Sequence, residues 1–219
     1  MLFKKGLGKL QFLKLKNIKM NENIDWKGNS KSVHSVLGAS SHSESERAKN
    51  DYYATDPKAI KLLLELETFN KKIWEPACGE GHLSKELEKS GYDVYSTDII
   101  DRNYGNGILN FLDNEIKCWD GDIITNPPYS FAKEFIEKAI DIIDDGNKIC
   151  MFLKLQFLEG KGRKSLFEKY PPKTVWVSSS RINCARNGVF IKNEGSAVAY
   201  AWYVWIKGFK GSTELKWFN

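Results

Sequence analysis

The chain has 219 residues, of which 42% are hydrophobic and 13% aromatic, which is enough to bury a sizeable core in one elaborated domain. Its net charge is +5, but the first twenty residues hold six lysines and no acid, so the remainder carries −1 and is not globally basic. The four cysteines lie far apart without metal-ligand spacing, which argues against a zinc site or a disulfide framework and predicts reduced thiols in a cytoplasmic protein. No segment approaches the roughly 20 uncharged apolar residues of a membrane span, so no membrane partner is expected.

Residues 1–50 are interpreted as a lysine-rich leader followed by an arm rich in Ser, Asn and Gly. Because this region lacks apolar periodicity, it is not expected to belong to the core. Its first 19 residues fit either a phosphate-binding arm or an appended leader. Residues 51–219 are predicted to form a single domain.

Strand and helix patterns alternate after residue 51. Helices are predicted over 59–66, 83–89 and 131–143, and strands over 72–74, 92–97, 123–125, 148–155, 175–177 and 197–206. The first helix follows Thr55, Asp56 and Pro57, in which Pro suits a first turn and Thr or Asp suits a cap. This alternation predicts an α/β fold with a mostly parallel, doubly wound sheet and helices on both faces.

A glycine-containing turn follows the first strand of this sheet, in the segment EPACGEGH at residues 75–82. Gly79 and Gly81 permit a sharp turn and close approach of a ligand. Asp98, at the end of the next strand, can accept hydrogen bonds from two ribose hydroxyls. The turn and the acid together predict a site for a nucleoside-bearing cofactor at the carboxyl edge of the sheet.

A second segment, Asn126-Pro127-Pro128-Tyr129, follows a later strand. Two successive prolines cannot continue a strand, so the loop is rigid and its carbonyl oxygens stay free. An exocyclic amine held between the side-chain oxygen of Asn126 and the backbone oxygen of Pro127 would donate both hydrogens, which directs its lone pair at an electrophile. Tyr129 is suited to stack on the ring that carries the amine.

At these residues the sequence resembles the class I S-adenosylmethionine-dependent amino-methyltransferases, and among them the DNA adenine-N6 type with an NPPY motif that is common in phages. The matching segments are residues 51–57 (DYYATDP), 75–81 and 126–129. The resemblance implies a Rossmann-like, seven-stranded, mostly parallel sheet whose last hairpin is antiparallel. It also implies cofactor contacts from Tyr53, Thr55, Glu75, Pro76, Ala77, Gly79, Gly81, Asp98, Ile99 and Phe111, and a catalytic role for Asn126, Pro127 and Tyr129.

The sequence departs from the family pattern where the cofactor's adenine is contacted. The family has an acid before the phenylalanine, but this chain has Asn110 before Phe111, and Asp113 is a candidate to replace the acid. Trp74 and Trp119 are candidates to border the cofactor site. His82 is interpreted as a polar residue at the site's rim, and no spacing of histidines suggests a metal.

Basic residues accumulate late in the chain. Residues 154–192 contain nine Lys or Arg and two Glu, an asymmetry that a polyanion-binding surface requires. The alternative is a solvated helix face with loops. Contacts with DNA are predicted for Lys154, Lys161, Arg163, Lys164, Arg181 and Arg186.

These patterns predict methyl transfer from S-adenosylmethionine to the N6 amine of adenine in DNA. An RNA or a protein glutamine is the alternative acceptor, and cytosine N4 or a binding module without catalysis is less favoured. A nicotinamide dehydrogenase would leave the Asn-Pro-Pro-Tyr segment unexplained. The sequence does not identify a recognition sequence or a restriction partner.

Overall fold

A computed structural model describes residues 52–186 and 198–219. The predicted leader and arm, and the part of the basic region beyond residue 186, lie outside the described residues, as does the first residue of the strand predicted at 197–206. Each remaining predicted helix and strand is confirmed with small changes in its bounds.

The described part of the chain contains both strands and helices, numbered in chain order. The strands are β1 (Tyr53–Thr55), β2 (Lys72–Glu75), β3 (Asp93–Asp98), β4 (Gly107–Ile108), β5 (Asp122–Thr125), β6 (Lys148–Lys154), β7 (Thr174–Ser178), β8 (Cys184–Arg186), β9 (Tyr200–Ile206) and β10 (Glu214–Phe218). The helices are α1 (Lys58–Leu66), α2 (Ser84–Lys89), α3 (Ala132–Ile142) and α4 (Lys161–Lys169).

The main sheet has eight strands in the order β10-β7-β9-β6-β5-β2-β3-β4. The predicted count of seven is therefore wrong. All its pairings are parallel except those of β9, which runs antiparallel to both β6 and β7. The antiparallel strand near the end of the chain is confirmed, but it forms no hairpin with β10, because β10 pairs in parallel with β7.

Apolar side chains alternate between the two faces of the central strands, so both faces of the sheet are buried. Along β6, Ile149 and Met151 join the core beneath α3 and α4, whereas Cys150 and Phe152 join the core beneath α1 and α2. The helices on both faces are therefore confirmed. Asp56 precedes α1, and its side chain accepts a hydrogen bond from the Lys58 amide at 2.9 Å, as the cap prediction requires.

A second sheet consists of two strands, β1 and β8, paired antiparallel with Thr55 opposite Cys184. The amide of Asp56 donates to the carbonyl of Asn183 at 3.1 Å and extends this pairing. The small sheet therefore ties the beginning of the described chain to the segment between β7 and β9.

A buried carboxyl group joins β2 to α2. Glu75 is 2% exposed and accepts a hydrogen bond from the hydroxyl of Ser84, which also lies 2.6 Å from the hydroxyl of Ser96 on β3. Burial raises the pKa of Glu75 from 4.5 to about 8, against the opposing effect of the hydrogen bonds from Ser84. Glu75 is therefore predominantly a neutral acid at pH 7.

The raised pKa of Glu75 predicts a specific pH dependence of stability. Above pH 5 the unfolded chain has already lost most of this proton, while the folded chain holds it until the pH approaches 8, so rising pH progressively favours unfolding across this range. We expect the unfolding free energy of the wild type to fall by about 3 kcal/mol relative to Glu75→Gln over this range. Urea unfolding at both pH values measures it, with Glu65→Gln on the exposed side of α1 as the control. Equal pH slopes for wild type and Glu75→Gln would contradict the prediction.

Candidate active site

A cavity of about 650 Å³ opens where β2, β3 and β5 end. Ligands of parallel α/β sheets bind at this edge, as the sequence predicted. The predicted site residues that line the cavity are Tyr53, Thr55, Glu75, Pro76, Ala77, Asp98, Ile99, Phe111, Asn126, Pro127 and Tyr129. The glycine turn and the Asn-Pro-Pro-Tyr segment therefore lie on one cavity.

The two glycines of the turn lie behind the cavity lining. Both have positive φ, +55° at Gly79 and +77° at Gly81, which is a conformation that side chains disfavour. A Cβ atom at Gly79 would overlap the ring of Tyr52, and one at Gly81 would overlap the ring of Tyr104. The glycines are thus needed for the turn and for two tyrosines packed on it, while their contact with a cofactor stays a prediction.

Asp98 holds the glycine turn against the end of β3. Its Oδ2 atom accepts the Gly79 amide and its Oδ1 atom accepts the Ile100 amide, both at 2.9 Å. Each carboxylate oxygen can accept more than one hydrogen bond, and Asp98 lines the cavity. The carboxylate is therefore fixed in orientation and retains acceptor capacity towards a ligand with hydroxyl groups.

The side-chain amide of Asn126 is oriented by β1. Its Nδ2 atom donates to the Tyr53 carbonyl at 3.0 Å and to the Thr55 hydroxyl at 2.8 Å. Both amide hydrogens are thus used, and the Oδ1 atom is buried without a hydrogen-bond partner among the described residues. Because a buried acceptor without a partner is costly, this oxygen is suited to a donor brought by a ligand.

Tyr129 lies in an aromatic cluster at the same end of the cavity. Its ring stacks on Tyr53 with centroids 5.6 Å apart, and the Tyr200 ring lies at 6.2 Å. The Tyr129 hydroxyl donates to the sulfur of Cys184 at 3.6 Å, and burial raises the pKa of Tyr129 well above 10. Burial likewise raises the pKa of Cys184 to about 11, so both groups stay protonated and neither is a prepared nucleophile.

The residues considered for the cofactor's adenine end are rearranged by the structure. Asn110 and Phe111 line the cavity, and the Phe111 ring packs edge-on against Trp74 at 5.1 Å. Asp113 does not line it, because it is exposed and caps a turn by accepting the Glu115 amide at 2.9 Å. The expectation that Asp113 replaces the missing acid is therefore wrong.

The expectation that two tryptophans border the cofactor is also wrong. Trp74 is 3% exposed and donates its indole N–H to the Thr97 hydroxyl at 2.9 Å. Trp119 donates its indole N–H to the Asp122 carbonyl at 3.0 Å. Neither residue lines the cavity, because both pack within the sheet and the loop that precedes β5.

The predicted basic contacts divide into different environments. Lys161, Lys164 and Arg181 are exposed, whereas Lys154 is half-buried with its ammonium 4.9 Å from the centre of the Tyr129 ring. Arg163 donates to the Phe157 carbonyl at 2.8 Å and to the Glu159 carbonyl, and so holds the loop before α4 together. Arg163 therefore has a structural role in this loop, and its contact with DNA stays a prediction. The side chain of Arg186 is outside the described part.

Sequence reasoning gave no role to several cavity residues, among which two are of chemical interest. Tyr52 and Arg102 line the cavity, with the Arg102 guanidinium 4.2 Å from the centre of the Tyr52 ring. The available signal was weak, since Arg102 follows the predicted ribose acceptor by four residues in an irregular loop. His82 also lines the cavity, and burial lowers its pKa, so its imidazole is largely neutral at pH 7.

Residues 52–186 and 198–219 contain no group of three or more His, Cys, Asp or Glu arranged to hold a metal ion. None of their helices is long and apolar enough to cross a bilayer.

Comparison with known proteins identifies the fold. No family model and no curated protein matches the sequence. Among solved structures, a Listeria monocytogenes protein assigned as a class I S-adenosylmethionine-dependent methyltransferase is 13% identical, with a TM-score of 0.52 over 85% of this chain and 70% of that one. A Pyrococcus horikoshii protein assigned as an RNA methyltransferase is 15% identical, with a TM-score of 0.52 over 81% and 98%.

A third solved structure is a type IIG restriction endonuclease, BpuSI. It is 16% identical, with a TM-score of 0.50 over 80% of this chain and 27% of that one. At these identities the likeness concerns architecture. The chain therefore has the Rossmann-like fold of the class I S-adenosylmethionine-dependent methyltransferases.

Proposed function

We propose that the protein transfers a methyl group from S-adenosylmethionine to the exocyclic N6 amine of adenine in DNA. The observation that carries the proposal is the buried Oδ1 atom of Asn126, which lacks a partner among the described residues and belongs to a residue that lines the cavity at the carboxyl edge of the sheet. Methyl transfer, the cofactor and the acceptor base are supported by separate features.

The cavity suits the cofactor in size and chemistry. A volume of about 650 Å³ lies within the usual range for small-molecule sites. Asp98 offers oriented acceptors for the ribose, while Leu109, Phe111 and Leu112 supply an apolar wall for the adenine ring. When bound, S-adenosylmethionine supplies an activated methyl group on a sulfonium.

The acceptor end suits a neutral, planar amine. Asn126 Oδ1 can accept one amine hydrogen. The backbone carbonyl of Pro127 is a candidate acceptor for the second amine hydrogen. The turn that follows is closed by a different carbonyl, that of Pro128, which accepts a hydrogen bond from the Phe131 amide at 2.9 Å. Two fixed acceptors enrich electron density at the nitrogen and align its lone pair, which is the form of catalysis that an already reactive methyl donor requires.

DNA as the acceptor is supported by Tyr129 and by the basic region. A base inside a duplex must be extruded at a cost of a few kcal/mol, and it is then received by stacking and edge contacts. Tyr129 offers a ring beside the Asn126 amide, and the exposed cations Lys161, Lys164 and Arg181 can meet phosphates. An RNA acceptor would need the same amine geometry, so the substrate must be tested directly.

Replacing Asn126 should separate chemistry from cofactor binding. Asn126→Ala removes the oriented oxygen, so we expect kcat to fall by at least about 100-fold. The affinity for S-adenosylhomocysteine should change less than about threefold, because the proposed contacts of Asn126 are with the acceptor. Single-turnover methylation and calorimetry measure the two quantities.

Asn114→Ala is the matched control for this experiment, since Asn114 is exposed and outside the cavity lining. Thermal melting of each variant verifies folding, because the amide of Asn126 also holds β1. Equal losses in turnover and in cofactor affinity would refute the division of roles.

The substrate class is tested with S-adenosylmethionine labelled in its methyl group. The full-length protein is incubated separately with duplex DNA, RNA and a glutamine-containing protein mixture, and nucleic-acid products are digested to nucleosides. We expect the label in N6-methyl-2′-deoxyadenosine. The rate of methylation should fall as the salt concentration rises, because phosphate contacts are screened. Label confined to RNA, protein or cytosine would overturn the DNA adenine assignment.

A further inference from the structure

The cavity contains one permanently cationic side chain among the residues that the structure describes. The charged or acidic groups of its lining are Glu75, Asp98 and Arg102, and Lys side chains are missing from that lining. Glu75 is engaged by Ser84, and Asp98 by two backbone amides. Arg102 is thus the cavity's unassigned charge, in a loop that follows the proposed ribose acceptor.

The donors of Arg102 are incompletely used. Its Nε atom is buried without a hydrogen-bond partner among the described residues. No described Asp or Glu forms an ion pair with it, and its guanidinium lies over the Tyr52 ring, whose centre is 4.2 Å away. A half-buried guanidinium with spare donors suits an anion, and a planar carboxylate matches its fork of N–H groups most closely.

Tyr52 fixes the plane of the guanidinium. Its ring packs against Gly79, and its hydroxyl oxygen lies 3.4 Å from the Glu80 amide, which donates to it. Stacking on this ring restricts Arg102 to the edge of the cavity near the glycine turn. Tyr52 is therefore a positioning residue, and the spare donors of Arg102 lie next to the proposed cofactor site.

We infer that Arg102 binds the α-carboxylate of S-adenosylmethionine. This assignment rests on the proposed function, because it takes the cofactor as the cavity's ligand. The carboxylate is the cofactor's single anionic group, and Arg102 is the single Lys or Arg of the described lining. An ion pair between these two groups therefore satisfies both charges. Recognition of the carboxylate would also distinguish the intact cofactor from nucleosides that share its adenosine part.

The test uses two ligands that differ in the carboxylate. S-adenosylhomocysteine carries it, and decarboxylated S-adenosylhomocysteine lacks it but keeps the amine. Affinities of both are measured by calorimetry, without nucleic acid, for wild type, Arg102→Met, Arg102→Lys and the control Lys117→Met. Lys117 is an exposed cationic residue outside the cavity lining.

We expect Arg102→Met to weaken binding of S-adenosylhomocysteine by at least about tenfold and binding of the decarboxylated ligand by less than about twofold. Arg102→Lys keeps the charge but loses the fork, so its loss should be intermediate. Lys117→Met should change neither affinity.

The outcomes separate this inference from the proposed function. If Arg102→Met weakens the binding of both ligands equally, Arg102 only supports Tyr52. If it changes neither affinity, Arg102 does not contact the cofactor. Either result overturns the inference while the proposed function stands. A wild type that binds neither ligand would refute the cofactor itself. Arg102→Lys keeps the test decisive should Arg102→Met fail to fold, because a reduced preference for the carboxylate ligand is still required of it; an unchanged preference would overturn the inference.

Discussion

The two hydrogen bonds from the side-chain amide of Asn126 to Tyr53 and Thr55 are the constraint on which the candidate active site depends. An asparagine side chain can rotate, so its oxygen has a defined direction only if its nitrogen is held. Here both amide hydrogens are bound by β1, and the oxygen of this cavity-lining residue is buried without a partner among the described residues. A buried acceptor without a partner is unfavourable in the folded chain, and a ligand that donates a hydrogen to it would offset that cost.

This constraint is itself supported by the small sheet of β1 and β8. Thr55 accepts a hydrogen bond from Asn126 and lies opposite Cys184, whose sulfur accepts a hydrogen bond from Tyr129. The amide acceptor and the aromatic ring of one loop are thus both attached to a pairing outside the main sheet. A strand of three residues is only marginally stable by itself. The contacts with Asn126 and Tyr129 therefore stabilise β1, just as β1 orients these two side chains.

The sequence predicted the features that arise from local pattern. Apolar residues on both faces of β5 and β6 indicated a buried parallel sheet, and prolines or glycines after its strands indicated loops at one edge. It did not reveal β8, because three residues paired with a strand more than a hundred residues away give no periodic signal. The weakly apolar edge strands β4 and β10 were missed for a related reason. The structural role of Arg163 was not predicted for another reason, since composition counts charges but does not show which donors already bind backbone carbonyls.

The alternation of side chains along an extended chain connects the two ends of the cavity. Tyr52 packs on Gly79 and Arg102 at the proposed cofactor end, whereas its neighbour Tyr53 stacks on Tyr129 at the acceptor end. Successive residues of an extended segment point in opposite directions, so one short segment can position groups on both sides. A displacement of this segment would disturb the Arg102 donors and the Asn126 amide together. Residues 52 and 53 therefore lie against both ends of the cavity, although Arg102 and Asn126 belong to loops that follow different strands of the main sheet.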